Sequence, residues 1–105
     1  MTGPHITITY CTQCSWLLRA NWMAAELLST FGAELESVTL VPGTGGIFVI
    51  TAGVEGGADQ QIWERKADGG FPDAPELKRR VRDAVLPDWS LGHSDKPRHP
   101  QTPTS

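Results

Sequence analysis

The sequence predicts an α/β fold in which two helices cover one mixed, four-stranded sheet, in the order β-α-β-β-β-α. Three observations lead to this fold class. Four short segments carry the alternating or continuous apolar patterns of strands. Two longer segments repeat their apolar residues at helical spacing. The 11 glycines and 8 prolines of the 105-residue chain supply turns between these segments.

The first half of the chain predicts a strand-helix-strand unit. Residues 5–10 (HITITY) alternate polar and apolar side chains, most of them β-branched or aromatic. Residues 15–31 repeat apolar side chains at helical spacing, and Gly32 supplies a helix stop. Residues 34–41 alternate again and end at the turn-rich segment 42–46 (PGTGG).

The second half begins with a predicted hairpin. Residues 47–51 (IFVIT) form a continuous apolar run, typical of a central strand that is covered on both faces. The glycine-rich segment 52–59 separates this run from a further strand over residues 60–66 (QQIWERK). The two strands are therefore expected to pair with each other.

A helix and a tail follow the hairpin. Asp73 is a suitable helix N-cap with Glu76 three residues later, and Pro87 ends the helix. The basic cluster at residues 78–82 is predicted to be a solvated face balanced by nearby carboxylates. Beyond residue 89 there is no periodicity, so residues 90–105 are expected to form a disordered tail after a single domain, residues 1–89.

Composition excludes several classes of protein. The formal net charge is -3 and the isoelectric point is near 5.5, so no global attraction to nucleic acid or anionic lipid is expected. No apolar run approaches the roughly 18–20 residues that span a bilayer, and the N-terminus does not resemble a secretory signal. We therefore expect a soluble, cytoplasmic protein with neither a nucleic-acid nor a membrane partner.

Cys11 and Cys14 form a CxxC motif (CTQC) at the predicted junction of the first strand and first helix. Two intervening residues allow the sulfurs to form a reversible disulfide. Free backbone N–H groups and the helix dipole at a helix N-terminus favour the thiolate. Inert packing is the alternative interpretation, because small cysteines are often ordinary core residues. The junction favours redox chemistry.

Metal binding through the same two thiolates is a further alternative. A closed zinc site needs two more ligands, and besides carboxylates only His5, His93 and His99 are available. His5 lies roughly 20 Å of extended chain from Cys11, and the other two fall in the predicted tail. A two-thiolate copper(I) site does not need them. Small copper chaperones, however, have a different order of elements, so no metal ligand is assigned.

Three segments together resemble the Rdx group of selenoprotein W-like proteins, which includes selenoproteins T, W and H. They are the CxxC motif, residues 44–49 (TGGIFV) and residues 68–72 (DGGFP), and the similarity runs from about residue 5 to residue 87. The resemblance implies a thioredoxin-like fold and a redox motif at Cys11 and Cys14. The selenocysteine of the selenoproteins corresponds to Cys14, so the chain is similar to a bacterial-type cysteine form.

The residues and the resemblance together predict a small thiol-disulfide oxidoreductase or redox sensor that cycles Cys11 and Cys14 without a bound cofactor. Selenium at the position of Cys14 favours this sulfur as the attacking atom and Cys11 as the resolving one, although either order is chemically possible. A thiol such as glutathione, or thioredoxin, would restore the dithiol, and proteins with oxidisable cysteines would be partners. A redox-dependent adaptor that binds another protein is the alternative function.

Two features near the motif carry further expectations. Where thioredoxins have a cis-proline before the third strand, this chain has Thr44, Gly45 and Gly46. Two glycines allow a close approach of the backbone or simply a tight turn. Trp16 follows Cys14 by two residues, so we expect it to flank the thiols.

Overall fold

The computed structural model describes residues 3–89 and 91. Its strands are β1 (His5–Cys11), β2 (Ser37–Gly43), β3 (Phe48–Gly53) and β4 (Gln60–Glu64). Its α-helices are α1 (Leu17–Phe31), α2 (Arg65–Asp68) and α3 (Ala74–Val85), and a 3-10 turn spans Gly32–Glu34. The predicted tail lies outside the described residues except for Leu91, which packs partly buried against the core.

The four strands form one mixed sheet in the order β2-β1-β3-β4. β1 pairs in parallel with β2 and antiparallel with β3, and β3 pairs antiparallel with β4. The parallel pair needs a crossover, and α1 provides it. The predicted α/β class, element order and mixed sheet are confirmed, and so is the inner position of β3.

Both long helices pack on the same face of the sheet. α1 contacts β1 and β2, α3 contacts β3 and β4, and the two helices contact each other. The core between the layers includes fully buried Ile6, Ile8, Phe48 and Ile50 from the central strands. The alternate positions of these strands, such as Val49, are only half-buried. For the described residues, the prediction that β3 is covered on both faces was therefore wrong. Apolar runs also occur where β-branched side chains occupy an open face of a sheet.

The N-terminal elements differ slightly from the predicted bounds. α1 begins at Leu17 because residues 12–15 form a turn. β2 begins only at Ser37, because the chain after α1 continues into the 3-10 turn. It then extends to Gly43 and includes Pro42, which an edge strand tolerates because one side of its backbone needs no partner.

The largest difference is α2, which the sequence analysis assigned to the end of a strand. β4 ends at Glu64, whose carboxylate accepts hydrogen bonds from the backbone N–H groups of Lys66 and Ala67. Gly69 closes this one-turn helix with a left-handed φ of 80°, a conformation that glycine adopts without steric cost. The prediction of a strand up to residue 66 was wrong because capping by Glu64 outweighs the strand pattern.

The prediction for α3 is confirmed. The Asp73 carboxylate accepts a hydrogen bond from the Glu76 backbone N–H at 2.8 Å. The basic cluster on α3 is paired with carboxylates, as expected for a solvated face. Within the described part of the chain, no helix combines the length and apolar character needed to cross a bilayer.

Candidate functional site

The two cysteines meet at the end of the central strand β1. Cys11 is the last residue of β1, and Cys14 lies in the turn that leads to α1. The turn brings the two Sγ atoms to 2.6 Å of each other. Ser15 adopts a positive φ of 62° at its end. Little movement separates this arrangement from a disulfide, whose bond length is about 2.05 Å.

The two sulfurs differ in exposure. Cys11 is fully buried, with an exposed fraction of 0%, whereas Cys14 is half-buried. Both are free thiols in this structure. A molecule approaching from solvent therefore reaches Cys14 more easily than Cys11.

The pKa values of the two thiols are shifted in opposite directions because the thiols play different parts in their hydrogen bonds. The pKa of Cys11 is lowered mainly because the Cys14 thiol donates to its sulfur, with further donation from the Gly46 backbone N–H and from the N–H groups of Gln13 and Cys14. Burial opposes this effect. The pKa of Cys14 is raised first because it is the donor, and then by burial and by the negative charge on Cys11. When the pair loses its first proton, it therefore loses it from Cys11, and Cys14 keeps its own.

The source of these donors differs from the sequence expectation. The helix begins only at Leu17, so the N–H groups that face Cys11 belong to the turn and to the loop before β3, and not to a helix N-terminus. The stabilisation of a thiolate by backbone N–H groups is nevertheless the same physical effect.

The glycine loop, residues 44–47, lies against the buried sulfur. The Gly46 N–H donates to Cys11 Sγ at 3.3 Å, and Gly46 has a positive φ of 77°. The two glycines therefore allow a close approach of the backbone to the sulfur. Thr12 anchors the other side of the motif, because its N–H donates to the Gly43 carbonyl oxygen at 3.0 Å.

An aromatic cluster stands beside the motif. Trp16 packs edge-on against Phe48 and Phe71, with ring centroids 6.2 Å and 5.0 Å apart. The guanidinium of Arg65 lies over Trp16 at 5.0 Å, and that of Arg19 lies over Phe71 at 4.2 Å. Trp16 is joined to the motif through its backbone N–H, which donates to the Cys11 carbonyl oxygen at 3.4 Å.

Arg65 is a residue of the candidate site that the sequence did not indicate. Its Nε donates to the Gly46 carbonyl oxygen at 3.3 Å, so it fixes the loop that touches Cys11. Its positive charge also opposes the rise in the pKa of Cys14. The run Arg-Lys-Ala before Asp68, which lacks β-branched residues, was the available signal that the strand ends at this point.

The histidines do not join the cysteines. Nε2 of His5 lies 2.9 Å from a carboxylate oxygen of Asp59, at the opposite end of β1. His93 and His99 lie outside the described residues. Across residues 3–89 and 91, no three His, Cys, Asp or Glu side chains come together as a metal-binding group.

The βαβ unit, the antiparallel hairpin and a CxxC motif at the end of the first strand agree with the thioredoxin-like fold class. The profile of the Rdx family matches residues 5–83. No protein with a curated description matches the chain significantly. The chain belongs to the Rdx family.

Two solved structures show the same relationship. One is a Bordetella parapertussis protein with 60% sequence identity and a TM-score of 0.70, and the match covers 79% of this chain and 99% of that chain. The other is a selenoprotein W-related protein from Vibrio cholerae with 52% identity and a TM-score of 0.70, and this match covers 78% of this chain and 96% of that chain. The resemblance noted from sequence is thereby confirmed.

Proposed function

We propose that the protein is a small thiol-disulfide redox protein, an oxidoreductase or a redox sensor, that cycles Cys11 and Cys14 between dithiol and disulfide. The observation that carries this proposal is the pair of sulfurs 2.6 Å apart, which share a proton and receive a backbone N–H from Gly46. Membership of the Rdx family and similarity to a selenoprotein W-related protein support it.

The proposed reaction has two steps. One sulfur attacks a substrate disulfide as a thiolate, so that a mixed disulfide forms and the first half of the substrate leaves as a thiolate, which takes up a proton. The second cysteine then loses its proton and attacks the mixed disulfide, which releases the other half. The protein dithiol is oxidised by two electrons, and the substrate disulfide is reduced to two thiols.

We assign the first attack to Cys14 because it is the more exposed sulfur. Its proton can pass to Cys11, the sulfur whose pKa is lowered, across a distance of 2.6 Å. Cys11 then resolves the mixed disulfide from its buried position. This order agrees with the position of selenium in the related selenoproteins.

The first test is the midpoint potential of the pair, measured by equilibration in graded thiol-disulfide buffers, alkylation of free thiols and mass analysis. We expect one two-electron transition in the range of roughly -180 to -270 mV that is known for oxidoreductases. Independent alkylation of both thiols, with no internal disulfide at any potential, would sink the proposal.

Single variants test the order of attack. Cys11→Ser removes the resolving sulfur, so the mixed disulfide with a substrate should accumulate and be visible by mass. Cys14→Ser should form this adduct much more slowly, because the remaining sulfur is buried. The reverse pattern would assign the first attack to Cys11.

A redox-dependent adaptor is the second candidate function, which the exposed apolar side chains Leu18 and Trp22 on α1 favour. Replacing both cysteines by serine separates the two functions: an oxidoreductase loses turnover, whereas an adaptor retains its partner but loses the redox response.

Under the leading proposal the protein works in the reducing cytoplasm, with glutathione or thioredoxin as reductant and proteins with oxidisable cysteines as partners.

Copper(I) or zinc carriage through the two thiolates is the third candidate, and the close sulfur pair is the observation behind it. Stoichiometric metal in protein purified under reducing conditions would support it.

A further inference from the structure

The lysines and arginines of the described residues fall into two groups. On α3, four basic residues pair with carboxylates at 2.6 to 3.2 Å, namely Lys78, Arg79, Arg80 and Arg82. Within residues 3–89 and 91, three basic side chains make no ion pair with a carboxylate, namely Arg19, Arg65 and Lys66. Of these three, Arg65 reaches the cysteine motif through Gly46, and Arg19 lies over Phe71, whose ring contacts Trp16.

The two arginines are held in place by aromatic rings. Arg65 lies over Trp16 and Arg19 lies over Phe71, and the two rings contact each other with centroids 5.0 Å apart. We call these four residues the arginine–aromatic cluster. Arg65 also donates through Nε to Gly46, whose N–H donates to Cys11 Sγ. Hence the cluster is connected to the cysteine pair through Gly46.

Ring contacts orient a guanidinium but do not neutralise it. A cation stacked on an aromatic face keeps its charge, and the N–H groups at its edge still donate to oxygen. With Nε of Arg65 engaged by Gly46, its terminal NH2 groups have no acceptor in the described part of the chain. The whole chain carries a net charge of -3, so this positive charge is a local feature of the site.

We propose that the arginine–aromatic cluster selects disulfide substrates that carry a carboxylate next to the reacting sulfur. The inference rests on the proposed function, since it names the substrate class of the same cysteine pair. Planar guanidinium groups bind carboxylates through paired hydrogen bonds. The carboxylate of the substrate would contact Arg65 and, with a smaller effect, Arg19, while the substrate disulfide meets Cys14 and is reduced in the two steps given above.

The test compares reduction rates of three peptide disulfides. Each is a symmetric disulfide dimer of a capped tripeptide with cysteine in the centre, flanked on both sides by glutamate, glutamine or lysine. The reduced protein is mixed with each peptide at low ionic strength, and the first-step rate is followed by mass. We expect the order glutamate, glutamine, lysine, and we expect the differences to shrink at high salt because exposed charges are screened.

Arg65→Gln is the informative variant, because glutamine can still donate to the Gly46 carbonyl oxygen but has no charge. The ratio of the glutamate rate to the lysine rate should fall about three- to tenfold. Loss of the Arg65 charge lowers the rate for the glutamate peptide and raises the rate for the lysine peptide, each by a small factor. Any change in thiolate fraction cancels in this ratio, because both peptides meet the same sulfur. Arg65→Lys keeps the charge but lacks the planar group, so it should restore only part of the ratio.

Lys66→Gln is the matched control, since it removes one positive charge from α2 at a residue whose side chain makes no contact with the cluster in the described structure. Its ratio should stay close to that of the unaltered protein. A symmetric disulfide of a short thiol acid, 3,3'-dithiodipropionate, shows whether the carboxylate alone suffices or a peptide is needed.

The outcomes separate the two proposals. Peptides that are reduced at equal rates, or a ratio that Arg65→Gln leaves unchanged, would overturn the selection of carboxylates and leave the redox function standing. Failure of the protein to reduce any of the disulfides would overturn the proposed function itself, and the substrate class with it.

Discussion

At the residue scale, the proposed chemistry depends on how Cys11 and Cys14 share one proton. Cys14 donates to Cys11, and the backbone N–H of Gly46 adds a second donor. Both donors stabilise the negative charge on Cys11, so the pKa of this buried thiol is lowered although burial alone would raise it. The resting pair is therefore charged at lower pH than an ordinary thiol, with the exposed sulfur still protonated.

The pKa of Cys11 should respond to the donor at position 14. In Cys14→Ala the main donor is lost, and the pKa of Cys11 should rise. In Cys14→Ser the hydroxyl can replace the thiol as donor, so the pKa should stay closer to that of the unaltered protein. The ultraviolet absorbance of the thiolate, recorded against pH, measures both values. Equal pKa values in the two variants would show that the donor at position 14 is not the main cause.

Part of this candidate site could be predicted from the sequence, and the rest could not. The CxxC spacing was enough to place Cys11 and Cys14 together, because two residues between them make a single turn. For the glycine loop the sequence left a close backbone approach and a tight turn equally open, because Gly46 is 35 positions from Cys11. Arg65, a further 19 positions from Gly46, was not indicated at all. No local pattern states which loop will pack against a given sulfur.

At the element scale, the segment from β4 to α3 presents Arg65 and Phe71 to the motif. Arg80 on α3 holds this segment: it donates to Asp68 at 3.2 Å and to the Ile62 carbonyl oxygen at 3.0 Å, and lies over Trp63 at 4.4 Å. Trp63 in turn donates to the Gly70 carbonyl oxygen at 2.8 Å. The short helix α2 is thus fixed from both ends, which positions Arg65.

Replacing Arg80 should destabilise the protein in a pH-dependent way. The pKa of Glu76 is lowered mainly by its hydrogen bond from Arg80, and the pKa of Asp68 is lowered first by the Glu64 backbone N–H and also by Arg80. Groups whose pKa is lowered on folding stabilise the protein at neutral pH, and this contribution is lost as the pH falls through the lowered pKa.

Arg80→Met should therefore reduce the free energy of unfolding by about 1 kcal/mol at neutral pH. The loss should become smaller as the pH falls through the lowered pKa values of the two carboxylates, because protonation removes their charge. Urea denaturation at pH 7 and pH 3 measures the difference. Arg80→Lys is the control, because it keeps the charge but lacks the planar group, and it should recover only part of the stability. An identical loss at both pH values would contradict an ionic role.

At the scale of the whole molecule, the redox state of the motif should change global stability. A disulfide between Cys11 and Cys14 restricts the unfolded chain, although the loop that it closes is short. We expect the oxidised protein to be more stable by about 1–2 kcal/mol, which corresponds to a rise in Tm of roughly 5–10 °C for a domain of this size.

Thermal unfolding of the fully oxidised and fully reduced protein, followed by circular dichroism, measures this shift. The protein with both cysteines replaced by serine is the control, and its Tm should not depend on the redox buffer. A reduced form at least as stable as the oxidised one would mean that the folded protein disfavours the disulfide, and the pair would then be strongly oxidising.

The sequence by itself determined the order of the elements and the position of the cysteine pair. Both follow from local information, such as the alternation in residues 5–10, the helical spacing before Gly32 and the cap at Asp73. The tertiary structure decided which face of the sheet is covered and which distant groups reach the motif. Parallel pairing of β1 with β2 and antiparallel pairing with β3 bring the glycine loop to Cys11. Such contacts depend on how whole elements pack, so no short stretch of sequence contains them.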